Sequence, residues 1–224
     1  MIPCRSFTVA HIHLEDGSFI LFWVVVWWAV ALLLIGAALL WVRNIKKTDN
    51  RKITLAAFCA AAAFVVFQVS IPLFGGVHLS LTPLIGILVG PAIGSFIVLV
   101  INILSAAIGH GGWGMIGANL LVNVVEVVVA YAVFRALKKI FPGPFTRGAV
   151  ATLASLFCGN LAMIAIILVS GVQGVTQSPS QILAGLTLLA GINMGVAIIE
   201  AVITGMIITY ILRVRPDMLE SERQ

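Results

Sequence analysis

Apolar residues run along this chain in long blocks, broken by short polar or glycine-rich links. A helix needs about 20 apolar residues to cross a bilayer, and fewer where it is re-entrant or half-buried in protein. The pattern predicts seven helical segments, at 19–42, 53–73, 79–90, 91–109, 115–136, 149–171 and 181–212. The third is short. Gly90-Pro91 interrupts a long apolar stretch, and proline is disfavoured inside a helix. Residues 79–109 are therefore read as two antiparallel helices instead of one very long one.

Composition agrees with the pattern. The 224 residues are 61% hydrophobic and 9% charged, with mean hydropathy +1.16, against about 25% charged in a soluble domain. The expected fold is all-α, a polytopic membrane helix bundle, multi-pass in the cell membrane. Residues 10–215 form its single membrane domain, with an N-terminal extension at 1–9 and a cytoplasmic tail at 216–224. No cleavable signal peptide is read, because the first apolar run follows an acidic stretch and is long enough to span.

The formal charge of +5 does not point to nucleic acid, since the basic residues sit in links between apolar runs, where they report orientation. Arg43, Lys46, Lys47, Arg51 and Lys52 separate the first two segments. Arg135, Lys138, Lys139 and Arg147 separate the fifth and sixth, and Arg213 and Arg215 follow the seventh. Links 74–78, 110–114 and 172–180 hold no Lys or Arg. With seven spans every basic cluster falls on one side, which is cytoplasmic by the positive-inside rule. Six spans would split them. The N-terminus is expected outside and the C-terminus inside.

That topology gathers all four histidines on the outer side. His11 and His13 precede the first segment, His78 precedes the third, and His110 follows the fourth. In Ala10-His11-Ile12-His13-Leu14-Glu15-Asp16-Gly17, two imidazoles and two carboxylates suit a divalent metal such as Ni, Cu, Zn or Co. The same block also reads as a polar cap, with Asp16 or Ser18 at the N-terminus of the first helix. Gly75-Gly76-Val77-His78 and Gly109-His110-Gly111-Gly112 set single histidines among glycines, which let backbone fold tightly where it lines a cavity. The cysteines Cys4, Cys59 and Cys158 are widely spaced and form no CxxC, and Cys59 and Cys158 suggest packing within helices.

Glu126 and Glu200 lie mid-span, where an ionised carboxylate is costly. Asn119, Asn123 and Glu126 share one helix face, and Asn193 and Glu200 repeat the offset within Gly-x-Asn-x6-Glu. Both stripes are expected to face the bundle interior, hydrogen-bonded to each other or to Asn102 and Asn160. They serve as interhelical links, or else as a proton relay or transient cation site.

Three blocks in order, His-Ile near the N-terminus, Gly-Val-His-Leu with Gly-Pro downstream, and Gly-His-Gly-Gly followed by Gly-Ala-Asn, resemble the CbiM/NikM family. These are the metal-binding S components of cobalt and nickel energy-coupling-factor importers. The resemblance runs from His11 to about Thr204. It implies a seven-helix subunit that captures Ni2+ or Co2+, as transported substrate and not as cofactor, through nitrogens alone. Carried over, Ala10 supplies a free amine, His11 its amide and imidazole, and His78 the fourth nitrogen. Such a tetragonal set suits Ni(II) or Co(II) better than Mg or Ca. His13 and His110 are flanking or gating candidates, and loops 74–80 and 109–114 a lid.

The family's histidine directly follows the initiator Met, whereas Met1 to Val9 precede Ala10 here. An alternative start at Val9, with that Met removed, would restore Ala10 as residue one; otherwise the site falls to His11, His13 and His78. The resemblance further implies a transmembrane coupling subunit, cytoplasmic ATPase subunits and a small accessory membrane subunit as partners. Ala56-x-x-x-Ala60 and Ala57-x-x-x-Ala61 in the second segment suit either docking on that coupling subunit or packing within the bundle. The chain carries no Gly-x-x-x-x-Gly-Lys-Ser/Thr and no His-Glu-x-x-His, so it is read as a transport subunit and not an enzyme. The rival is a proton-coupled secondary transporter using Glu126 and Glu200. A vitamin-binding subunit would need a mouth lined by more than Trp113.

Overall fold

A computed structural model of the chain describes residues 16–44, 50–67, 70–71, 77–174 and 178–214. Ala10, His11, His13, the 1–9 extension, the 216–224 tail, and residues 74–76 of the second glycine block lie outside them. The helices are α1 (Leu21–Asn44), α2 (Asn50–Phe67), α3 (Thr82–Val89), α4 (Pro91–Ala107), α5 (Ile116–Ala136), α6 (Pro144–Ser170) and α7 (Pro179–Val214). Between α2 and α3 lies a two-stranded antiparallel hairpin, β1 (Ser70–Ile71) and β2 (Val77–His78), pairing Ser70 with His78 and Ile71 with Val77. Among the described residues four helices are long and apolar enough to cross a membrane: α1, α5 with the 3-10 turn that continues it to Lys139, α6, and α7.

Each of the seven expected segments overlaps one helix, but the second ends early. It was expected to run to residue 73, and α2 stops at Phe67. Pro72 removes a backbone donor and biases Ile71 toward extended backbone, and Ser70-Ile71 pairs as a strand instead. The sixth starts early, at Pro144, because a proline at the first helical turn forfeits no hydrogen bond.

The third segment is helical over only part of its length. Its helix has 8 residues, about 12 Å of rise against a hydrocarbon core of about 30 Å. Thr82, at its start, meets Glu126 midway along α5. A Cβ at Gly90, at its end, would lie 3.7 Å from the Tyr131 ring nearer the far end of α5. Residues 79–81 ahead of the helix are not helical, and Leu81 stands in the left-handed region at φ +53°. Gly90 has φ +81°, which lets the chain reverse into Pro91 and α4. Gly86 on α3 and Gly94 on α4 then both abut Val127, so α3 and α4 are antiparallel, as the sequence predicts.

Close contacts between small residues order the remaining helices. Gly117 of α5 lets the α1 backbone approach at Trp27 and Trp28, and both sites lie near helix N-termini, so α1 and α5 run the same way. A Cβ at Gly148 of α6 would lie 3.3 Å from Gly205 Cα of α7, which sets the start of α6 beside the end of α7. The bundle therefore has two ends. One collects Arg43, Arg135, Lys138, Lys139, Arg147 and Arg213; Arg147 lies over the Phe134 ring at 4.6 Å. The other collects the start of α1, the hairpin, residues 108–115 and the α6–α7 link.

Candidate metal site at the histidine end

At this second end Asp16 leaves the N-terminal block and grips the third glycine block. Its Oδ2 accepts the Trp113 N–H at 3.1 Å and its Oδ1 the Gly114 N–H at 2.8 Å. A side chain at Gly112 would collide with Asp16, so glycine there is a condition of the contact. The sequence offers Asp16 as an N-cap for the first helix; its carboxylate goes instead to the amides just ahead of α5. Ser18 likewise contributes its carbonyl, which accepts the Gln173 N–H at 2.8 Å. Trp27 Nε1–H donates to Ser170 Oγ at 2.7 Å and ties α1 to the end of α6.

His110 is half-buried and packs edge-on against Phe67, ring centroids 5.3 Å apart, at the last turn of α2. Its backbone N–H donates to Ser105 O at 2.9 Å. His78 ends β2, so its backbone lies in the hairpin that follows Phe67. The residue leading out of the N-terminal block, the Gly-His-Gly-Gly loop and the hairpin of His78 thus meet at one end. Ala10, His11 and His13 lie outside the described residues, and among the described ones no group of three or more His, Cys, Asp or Glu could hold a metal ion.

Below this end the two buried acids meet the segment that leads from His78 into α3. Glu200 Oε2 accepts the Ser80 N–H at 3.1 Å, while Oε1 accepts the Leu81 N–H at 2.9 Å and the Ser80 hydroxyl at 3.0 Å. The Ser80 and Thr82 hydroxyls lie 3.0 Å apart, and Thr82 hydrogen-bonds Glu126. Both carboxyls are 2% exposed. Asn119 and Asn123 are buried beside Glu126, so the expected polar stripe does face the interior. Asn193 of the second stripe donates to Asn160 at 3.1 Å, as expected, whereas Asn102 donates to Val98 O of its own helix at 2.7 Å. The carboxyls bind the Ser80-Leu81-Thr82 segment instead. The missed signal was Ser-Leu-Thr-Pro itself: a helix starting inside a bilayer leaves N–H groups without partners, and the buried acids among the described residues stand on other helices.

This is the architecture of a multi-pass helical membrane transporter. The fold matches that of a solved truncated transition metal transporter (TM-score 0.77, 20% identity, 90% of this chain and 99% of that one). A second solved transition metal transporter aligns with TM-score 0.70 and 19% identity, over 95% of this chain and 99% of the other. The family profile described as the cobalt uptake substrate-specific transmembrane region, CbiM, matches residues 13–218. The chain belongs to that family, and is a transport component and not an enzyme. A Methanocorpusculum labreanum protein, provisionally named as a cobalt transport protein CbiM, is 30% identical over 93% of this chain and 92% of its own length. The cobalt transport protein CbiM of Salmonella typhimurium is 28% identical over 77% of this chain and 68% of its own length.

Proposed function

We propose that this subunit captures Ni2+ or Co2+ at the extracytoplasmic mouth of an energy-coupling-factor importer. The ion is held by the Ala10 amine, the His11 amide and imidazole nitrogens, and the His78 imidazole. The observation that carries the reading is the Asp16 clasp on Trp113 and Gly114, which holds Asp16, five residues after His11 in the sequence, at the end of the bundle that holds the His78 hairpin. A square of nitrogens favours these ions over Mg or Ca, and its fixed geometry supplies selectivity. His13 and His110 flank the site, and loops 74–80 and 109–114 close over it.

Orientation follows from charge. The basic end of the bundle faces the cytoplasm and the histidine end faces outward. Inward transfer of the ion falls to a transmembrane coupling subunit and cytoplasmic ATPases, with a small accessory membrane subunit completing the assembly. Ala57 and Ala61 are exposed on α2 beside Phe58, and offer the coupling subunit a face of small residues. Ala56 is buried and Ala60 half-buried, and both serve internal packing.

The test is metal titration of the purified full chain carrying His78→Ala or His11→Ala. Loss of stoichiometric Ni2+ or Co2+ in both is expected. Retention in either removes that residue from the ligand set.

A further inference from the structure

The hairpin that carries His78 is short. Two residues pair on each strand, and isolated two-stranded hairpins are marginal in water. The ladder alone therefore does not fix where His78 stands. Two residues downstream, the chain is gripped firmly. Glu200 takes the successive N–H groups of Ser80 and Leu81, one on each oxygen, and the Ser80 hydroxyl as well. Leu81 sits at φ +53°, ψ 11°, a left-handed conformation seldom adopted outside glycine. It turns neighbouring amides toward one anion, as in a backbone nest. With β2 ending at His78 and roughly 3.3 Å per extended residue, a slip at Ser80 passes directly to the histidine.

The protons of this array can be counted. Three oxygen–oxygen contacts link Glu126, Thr82, Ser80 and Glu200 in a row. The two hydroxyls bring one proton each. With both carboxyls ionised, Thr82 donates to Glu126 and Ser80 to Glu200, and the contact between the two hydroxyls is left without a proton. One further proton completes the row. Glu200 already receives two backbone N–H groups and is suited to the ionised state. Glu126 has neither amide and is suited to hold the proton, passing a donor to Thr82, which donates to Ser80, which donates to Glu200.

We propose that Glu200 is a positioning residue for the metal site, an ionised anchor that sets His78 through the Ser80–Leu81 backbone. Glu126 is its protonated counterpart, steadying the same segment through Thr82. This rests on the reading of His78 as a metal ligand.

The two acids are alike in burial and helix position but not in what an amide would do to them. Gln at 126 still offers a donor to Thr82. Gln at 200 replaces one acceptor oxygen by an NH2 that faces a backbone N–H. The experiment is calorimetric titration of the full chain with NiCl2 and CoCl2, comparing parent, Glu200→Gln, Glu126→Gln, Ser80→Ala and His78→Ala. The visible absorbance of the nickel form and the melting temperature without metal are recorded alongside. Glu200→Gln weakens binding at least about tenfold and shifts the nickel bands, whereas Glu126→Gln stays within about threefold of the parent. A purely structural role would lower both melting temperatures and leave the nickel bands of the folded variants unchanged.

If Glu200→Gln binds like the parent while His78→Ala loses the ion, the anchor is refuted and the ligand assignment stands. If Glu126→Gln is the more damaging, the proton assignment is refuted. If His78→Ala binds like the parent, the ligand reading itself fails. Should Glu200→Gln not fold, Ser80→Ala carries the test, with about a threefold to tenfold loss expected and parental affinity overturning the anchor.

Discussion

Gly117→Ala isolates the contact that seats the N-terminal segment. A Cβ at this position would lie 2.6 Å from Trp28 N, 2.7 Å from Trp27 C and 2.8 Å from Trp28 Cα. Carbon atoms prefer separations of about 3.5–4.0 Å, so α1 must retreat by about 1 Å. All three atoms belong to the α1 backbone, and no rotamer change relieves the clash. Overpacking of this kind costs roughly 1–3 kcal/mol. Carried wholly by α1 docking, that corresponds to a loss of about five- to 150-fold. Since α1 has only Ala31 buried along its length, it has little other packing with which to compensate. Its displacement draws Asp16 away from Trp113 and Gly114. Calorimetric titration with Ni2+ should show weakened binding within that range. Gly36→Ala, on the same helix but with nothing within 4 Å of the new Cβ, should bind as the parent does. Parental affinity in Gly117→Ala would show that close α1–α5 packing does not seat the segment.

Asp16→Asn keeps one acceptor oxygen of two and should weaken Ni2+ binding by about two- to twelvefold, the worth of one hydrogen bond; parental affinity in the same titration would separate the clasp from the site. Trp27→Phe removes the donor to Ser170 and should cost about 1 kcal/mol. For a chain of this size that lowers the melting temperature by roughly 2–4 °C, and an unchanged melt would mean that the bond contributes nothing. In a variant with Cys4, Cys59 and Cys158 replaced, a cysteine at Trp113 should react with an impermeant thiol reagent from outside intact cells. One at Lys138 should react only in inside-out vesicles, and the reverse pattern would invert the proposed orientation.

Much of the bundle was legible because bilayer thickness constrains helix length, and proline and glycine mark the breaks. Gly90-Pro91 marks the reversal between α3 and α4 in the sequence as in the structure. The hairpin was missed because Ser70 and Ile71 continue an apolar run, and hydropathy does not distinguish a strand from a helical turn. The partners of Glu126 and Glu200 were missed for a different reason. Their burial follows from helix periodicity, but hydrogen bonds between residues 120 positions apart, such as Ser80 to Glu200, depend on how deep each helix begins. The short third segment hinted at this, since a helix starting at mid-depth must find acceptors for its first N–H groups. The sequence offers Asp16 as a metal-ligating acid or an N-cap but not as a clasp, because its partners are backbone amides of a distant glycine loop.

The most direct measurement is native mass spectrometry of the protein expressed from its own locus and loaded with Ni2+ or Co2+, beside His78→Ala. One ion on a chain beginning at Ala10, and none on the variant, is the predicted result. A parent that retains Met1 and takes up no metal, or a His78→Ala protein that still carries one ion per chain, would contradict the nitrogen site.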